Sequence, residues 1–319
     1  MYYIGVDLGG TNIAVGIVNE EKKIVLKGSI PTNANREGEL IVKDMAALTE
    51  KLLKDAGIPL SEVAYVGIGS PGSIDSEEGV IVYANNLPFK DFPIAKYFKK
   101  YLAVPAVYVE NDANAAALGE AYAGAAKGSR ISVMVTLGTG VGGGIVIDGK
   151  VYSGFNQAGG ELGHMVIRHN GRPCSCGRLG CWEAYSSATA LSAMTKEKVL
   201  ECKAKGIPSL MINEYEANGR VSARTAFAAM KQGDEQAKAV VNTYIDFLAC
   251  GISNIINIFQ PEILTIGGGV CNEKDYLLKP LMKLVENEQY TRSSTKKTKV
   301  AIAQLGNDAG IIGAACVGL

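Results

Sequence analysis

A two-residue alternation of apolar and polar positions marks strands, and recurrence near 3.6 marks helices. The chain opens in the strand register. Residues 2–6 and 13–18 are β-rich, separated by Asp7-Leu8-Gly9-Gly10-Thr11-Asn12. Two strands joined across a Gly-Gly turn predict a hairpin, and residues 23–30 extend it to a meander. The period then changes: 37–56 reads as an amphipathic helix, and 63–68 as a strand ending in Gly69-Ser70-Pro71-Gly72. Residues 106–109 form another strand, leading through Glu110-Asn111-Asp112 into an alanine-rich helix over 113–123.

The opening pattern then returns. Residues 132–136 predict a strand, Leu137-Gly138-Thr139-Gly140-Val141-Gly142-Gly143-Gly144 a glycine tip, and 145–147 a strand. With one gap allowed, Asp7-Leu8-Gly9 lies over Thr136-Leu137-Gly138 and Gly16-Ile17-Val18 over Gly144-Ile145-Val146. A repeat at this scale predicts two similar α/β halves. A helix-rich stretch over about 184–259 is stopped by Pro261. Residues 262–266 then run as a strand into Gly267-Gly268-Gly269. A strand over 299–303 and a short apolar helix from near Asp308 close the chain, and that helix is free to pack back onto the first half. The expected boundary is Asn111–Asp112, giving a smaller domain of 1–111 plus about 304–319 and a larger one of 112–303.

Composition narrows the function. At 319 residues and 47% hydrophobic the chain has enough apolar material for two cores. Its 32 basic and 32 acidic residues cancel, unlike the basic excess of a nucleic-acid binder. No uninterrupted apolar run reaches the roughly 18 residues of a membrane span, and the start, with Asp7 and no basic n-region, is not a signal peptide. The expectation is a cytoplasmic protein with neither nucleic-acid nor membrane partners. Its seven cysteines are not arranged as a disulfide framework.

Three glycine tips (9–10, 138–144 and 267–269) each follow a strand. Taken singly, each reads as a tight turn. Together, with Asp7, Thr11 and Thr139 beside them, they point to phosphate. They match neither common phosphate loop: there is no G-x-x-x-x-G-K-[ST], and Gly9-Gly10 enters a strand where a dinucleotide loop enters a helix. Asp112, at a strand-to-helix junction, suits a helix N-cap or a general base at a strand's C-terminal end, and the roles are compatible. His164-x9-Cys174-x-Cys176-x4-Cys181 gathers four of the chain's nine Cys and His residues in eighteen positions. Three thiolates and an imidazole suit a closed, structural Zn2+ site; His169 falls outside the spacing and reads as a surface residue. Glu161 and Glu183 flank the cluster, so metal binding would aim two carboxylates, which accept hydrogen bonds from sugar hydroxyls.

With these strings assembled, the sequence resembles the ROK family of sugar kinases and repressors, especially its bacterial zinc-containing glucokinases. The residues that carry the resemblance are Asp7-Leu8-Gly9-Gly10-Thr11-Asn12, Glu110-Asn111-Asp112-Ala113-Asn114, the glycine tip at 137–144, Glu161-Leu162-Gly163-His164, and Cys174-Ser175-Cys176-Gly177-Arg178-Leu179-Gly180-Cys181-Trp182-Glu183. The C-x-C-G-x-x-G-C-x-E pattern is highly specific, and the motifs span residues 5 to about 270.

The resemblance implies two actin-like, ribonuclease-H-like domains with a cleft between them, and ATP-dependent phosphorylation of a hexose, commonly at O6. It implies Asp112 as base and Asn111, Asp112, Glu161, His164 and Glu183 as sugar ligands, with Gly72 and Asn86 lining the pocket. His164 would also ligate zinc with Cys174, Cys176 and Cys181. ATP would be held at Gly9, Gly10, Thr11, Asn12, Thr139, Gly140, Gly142, Gly268 and Gly269, with Asp7 organising Mg2+ through water. Glucose is the favoured sugar; N-acetylglucosamine, N-acetylmannosamine and other hexoses share these motifs. Family members are often dimers or tetramers, so a homodimer or homotetramer is expected. Family repressors carry a DNA-binding segment ahead of the sugar domain, for which the residues before Asp7 leave no room. A non-catalytic sugar sensor is the remaining alternative, expected to lose the base or the tips, all of which are present.

Overall fold

The computed structural model describes residues 1–319. Strand β1 (Tyr2–Leu8) pairs antiparallel with β2 (Asn12–Asn19), Leu8 facing Ile13 and Gly5 facing Gly16. The expected hairpin thus forms with its turn at 9–11. Strand β3 (Ile24–Pro31) continues the meander on β2. Helix α1 (Gly38–Ala56) buries Ile41, Val42, Met45, Leu48, Leu52 and Leu53, one stripe at helical spacing, and ends on Gly57 in the left-handed region at φ 66°. Strand β4 (Val63–Ser70) pairs parallel with β1.

Next come β5 (Ser73–Asp75), β6 (Val80–Tyr83) and β7 (Lys90–Phe92), a small separate sheet, then α2 (Ile94–Tyr101). Strand β8 (Val107–Asn111) lies parallel on β4 and hands over directly to α3 (Asp112–Ala123). The first sheet has the order β3-β2-β1-β4-β8.

The second pass runs β9 (Ile131–Leu137), β10 (Val141–Ile147) and β11 (Lys150–Val151). Five helices follow: α4 (Glu183–Ser186), α5 (Ala188–Lys205), α6 (Leu210–Asn218), α7 (Thr225–Lys231) and α8 (Glu235–Phe259). Strand β12 (Ile263–Gly267), α9 (Asp275–Glu288), β13 (Lys299–Ile302) and α10 (Ala309–Ala314) complete the chain. The second sheet is ordered β11-β10-β9-β12-β13, the first sheet's order repeated with the second set of strands. The repeat read from the glycine tips is therefore a repeat of topology. One correction applies: the tip expected over 137–144 is shorter, because β10 already begins at Val141. Its glycines serve packing, since a Cβ on Gly143 would lie 2.5 Å from the Leu162 side chain and one on Gly144 2.5 Å from Ala117.

By packing, the chain forms two units: 1–134 with 144–160 and 303–319, and 135–143 with 161–302. In the first, α10 returns to lie on β1, β4 and α3. A Cβ on Gly5 would meet the Ile311 carbonyl oxygen at 1.9 Å, and one on Gly67 the Ala314 oxygen at 1.8 Å. Glycine alone lets that helix reach the sheet. Buried Glu120 of α3 fastens the same segment, accepting the backbone N–H of Ala125, Gln304 and Leu305 at 2.7–2.8 Å.

In the second unit α8 buries Val240, Val241, Tyr244, Ile245, Leu248, Ile252, Ile255 and Ile256. It is the one helix long and apolar enough to cross a membrane, but 61% of its most apolar stretch is buried inside the protein. That burial is what a core helix shows.

Candidate functional site

Strand ends position the functional groups of the first unit. Asp7 is the penultimate residue of β1 and largely buried; desolvation, then the charge of Asp112, push its carboxyl up to about 6. The turn after it is fixed from outside: Gly9 N–H donates to Asn12 O at 3.0 Å, Thr32 Oγ1 to Gly9 O at 2.6 Å and Thr32 N–H to Thr11 O at 2.9 Å. Gly10, Thr11 and Asn12 remain exposed. Asn86 packs beside Gly10, where an added Cβ would lie 3.3 Å from its own.

Gly72 holds φ +107°, and a Cβ there would fall 2.1 Å from Tyr83 O. Its carbonyl accepts Asn111 Nδ2 at 3.1 Å.

The N-cap of α3 is Asn111, not Asp112. Asn111 Oδ1 accepts from Ala113 N at 2.9 Å and Asn114 N at 3.3 Å. Capping needs extended backbone, and Asn111 is the last strand residue at φ −63°, ψ 145°. Asp112 is the first helical residue, with Oδ1 on the Ala113 N–H at 2.8 Å. Burial raises its pKa, and the N–H groups of Ala113 and of Asp112 itself partly offset the rise. A half-buried carboxylate of raised proton affinity beside a second carboxylate is suited to accept a proton. Glu110 and Asn114, to which no role was given, are buried beside this turn and hydrogen-bonded to each other. The signal was present in Glu110-Asn111-Asp112-Ala113-Asn114, but pattern alone does not say which polar side chains turn inward.

In the second unit, ligand atoms of His164, Cys174, Cys176 and Cys181 all lie within 4.8 Å of one another. His164 Nδ1 is 3.6 Å from Cys174 Sγ, and Cys176 Sγ is 3.7 Å from Cys181 Sγ. Tetrahedral Zn2+ with bonds of about 2.3 Å to sulfur and 2.0–2.1 Å to nitrogen places its ligands roughly 3.5–3.8 Å apart. The donors therefore fit a closed zinc site. Burial and then the neighbouring thiols push Cys181 up to about 12, while the Arg178 N–H draws Cys176 down.

Glu183, opening α4, is braced between the cluster and the glycine turn. Its Oε2 accepts the Val141 N–H at 3.0 Å, and its Oε1 lies 3.3 Å from Ser175 Oγ and 3.7 Å from Cys174 Sγ. A Cβ on Gly140 would sit 2.3 Å from that Oε2. Adjacent Trp182 is fully buried, donates to Phe247 O at 3.0 Å, and occupies a slot that Gly251 of α8 leaves open. Glu161 is exposed, its carbonyl accepting His164 N–H at 3.1 Å, and His169 is exposed as expected. Thr139 O accepts Thr189 Oγ1 at 2.8 Å. Gly142 lies in β10, beyond the turn. Gly268, at φ +94°, passes so close to Leu137 O that a Cβ would be 2.3 Å away, and Gly269 is open.

Comparison with known proteins gives the family. The model of the ROK family matches residues 3–318. The chain is 39% identical to a glucokinase of Halalkalibacterium halodurans, over 98% of this chain and 93% of that one. It is 38% identical to a glucokinase of Thermotoga maritima, over 98% and 96%. Among solved structures, a ROK family glucokinase from Streptomyces griseus in complex with glucose and AMPPNP aligns over 99% of this chain and 98% of that one, with a TM-score of 0.78 and 32% identity. The two-domain actin-like, ribonuclease-H-like architecture is accordingly the fold of this chain, which belongs to the ROK family.

Proposed function

We propose that the protein is an ATP-dependent hexose kinase, a glucokinase that transfers the ATP γ-phosphoryl group to the 6-hydroxyl of glucose with Asp112 as general base. One observation carries the reading: Asp112 is a half-buried carboxylate of raised proton affinity, at the mouth of a strand-to-helix turn and close enough to Asp7 for their charges to interact. Relatives named glucokinase over nearly the whole chain, and a relative's structure with glucose and AMPPNP, support it.

The chemistry follows from the side chains. Phosphoryl transfer needs positioning and charge neutralisation more than covalent help. Asp112 accepts the proton of the sugar's 6-hydroxyl as that oxygen bonds to the γ-phosphorus and the bond to ADP breaks. Asn111, Glu161, His164 and Glu183 accept or donate hydrogen bonds to sugar hydroxyls, with Gly72 and Asn86 as pocket lining. Gly9, Gly10, Thr11 and Asn12, with Thr139, Gly140, Gly142, Gly268 and Gly269, form the nucleotide's backbone cradle. Mg2+, when bound, would supply charge neutralisation at the phosphates, and Asp7 would be the residue that holds it, through water. His164, Cys174, Cys176 and Cys181 would hold Zn2+ as a structural staple.

The same reading carries the functional partition of 1–111 plus 304–319 against 112–303, a homodimer or homotetramer, and the cytoplasm as the compartment. A coupled ADP-release assay with ATP-Mg2+ against hexoses and N-acetylhexosamines tests it. Preferential glucose turnover is the expected result; turnover with an N-acetylated sugar alone would keep the chemistry and change the substrate. Silence from zinc-loaded protein would refute the kinase and leave a sugar sensor. Asp112→Asn should lower kcat by about 10²–10⁴, the usual contribution of a positioned base, with glucose affinity by calorimetry within a few-fold. Near-normal turnover would remove Asp112 from the role.

A further inference from the structure

Nothing in that chemistry uses Glu110, the residue before the cap, yet its carboxylate is 7% exposed at the end of β8. An uncompensated buried carboxylate is costly, and an apolar side chain would fill the same core position. What the charge holds is specific. Glu110 Oε1 accepts the Asn111 backbone N–H at 2.8 Å and Asn114 Nδ2 at 3.0 Å. The Ser76 side chain also favours the charged form of Glu110. Asn114 is 4% exposed and its Oδ1 has no partner, so its amide is oriented through Glu110. The two residues between which Glu110 forms this bridge flank Asp112 in the chain.

The bridge continues outward. Ser76 N–H donates to Gln157 Oε1. Gln157 stands at φ +60° between Gly154 at φ +74° and Gly160 at φ +85°, in the segment that continues into Glu161. Residues 76, 110 and 157 all belong to the first unit.

We propose that Glu110 is a positioning residue for Asp112, its buried carboxylate fixing the β8–α3 turn, and that the Gln157–Ser76 bond couples the 152–160 segment to that turn. The functional half of this inference rests on the kinase reading. The structural half does not, and the experiment separates them.

Amide hydrogen exchange is measured on substrate-free protein, with steady-state kinetics alongside. Glu110→Val removes every bond that the Glu110 carboxylate makes. Exchange at Ala113 and Asn114 should rise about tenfold or more, since each lost hydrogen bond is worth about 1 kcal/mol. The kcat should fall about tenfold or more, and by more than KM for glucose rises through the loosened Asn111. Glu110→Gln keeps an acceptor for Asn111 and Asn114 and should return both readouts to within about threefold of wild type. Unchanged exchange in Glu110→Val, or no recovery in Glu110→Gln, overturns the positioning role.

Gln157→Ala, outside the buried core, should raise exchange at Ser76 and, through the bridge, at Ala113 and Asn114. A response confined to Ser76 overturns the coupling. Were the wild-type protein to lack kinase activity while the variants showed these exchange changes, the kinase reading would be refuted and the bridge left intact.

Discussion

Asp7 carries a stability cost. Its carboxyl has a folded pKa of about 6 against an ordinary value of 3.8, so the native state binds this proton more tightly than the unfolded chain. Stability contributed through Asp7 therefore falls as pH rises from about 4 through 6, and the full penalty is present above that. Asp7→Asn removes the charge. The variant should be more stable than wild type at pH 8, by up to about 3 kcal/mol, the equivalent of moving a pKa from 3.8 to about 6. The gain should vanish near pH 3.5, and on the kinase reading turnover should be lost. Urea denaturation at the two pH values checks this, and equal midpoints at pH 8 would refute it. The same contrast shows what single residues disclose from sequence. Asp112 was legible as a carboxylate at a junction, but the cap went to Asn111 because extended backbone at 111 decides capping. Glu183 was legible beside the cysteines, whereas its bond to Val141 links positions 42 apart, beyond any local pattern.

Among elements, long periodic ones were read well: α1 begins one residue from the expected start, and β1, β2, β4 and α3 fall where alternation and alanine content placed them. The sheet β5-β6-β7 went unread because strands of three or four residues carry too few alternations to register. Glycine in β10 was read as turn because a missing Cβ looks the same whether it frees φ or admits a neighbour. Helix α10 was expected to fold back, and the structure adds why it can. Gly67→Ala would place a Cβ 1.8 Å from the Ala314 carbonyl oxygen, on backbone that cannot rotate aside. The expected cost is about 1–3 kcal/mol or more, read as a lowered thermal midpoint. Gly28→Ala in β3 meets only the movable ends of Leu48 and Leu52 at 3.3–3.4 Å, and should change stability by less than about 1 kcal/mol. Equal effects of the two substitutions would refute the close-approach account.

The molecule as a whole repeats one sheet order, and the duplicated strand–glycine–strand pattern made that repeat legible before any contact was known. The metal cluster has no counterpart in the repeat. Its four donors fall between residues 164 and 181, all in the second unit. Metal removal should therefore be a local event. A structural zinc contributes folding energy directly to the segment it closes, and here that segment includes Trp182 and the braced Glu183. The protein should contain about one zinc per chain by elemental analysis. Cys176→Ser, at an exposed ligand, or exhaustive chelation should raise amide exchange across residues 162–187 and leave β1, β2 and β4 protected. On the kinase reading, KM for the sugar should rise about tenfold or more, the loss of one hydrogen bond to a charged group at about 1.5–3 kcal/mol. KM for ATP should move less. Were exchange to rise equally in both units, the cluster would be sustaining the global fold; were neither exchange nor KM to change, Glu183 would owe its position to Val141 and Trp182 alone, without the metal.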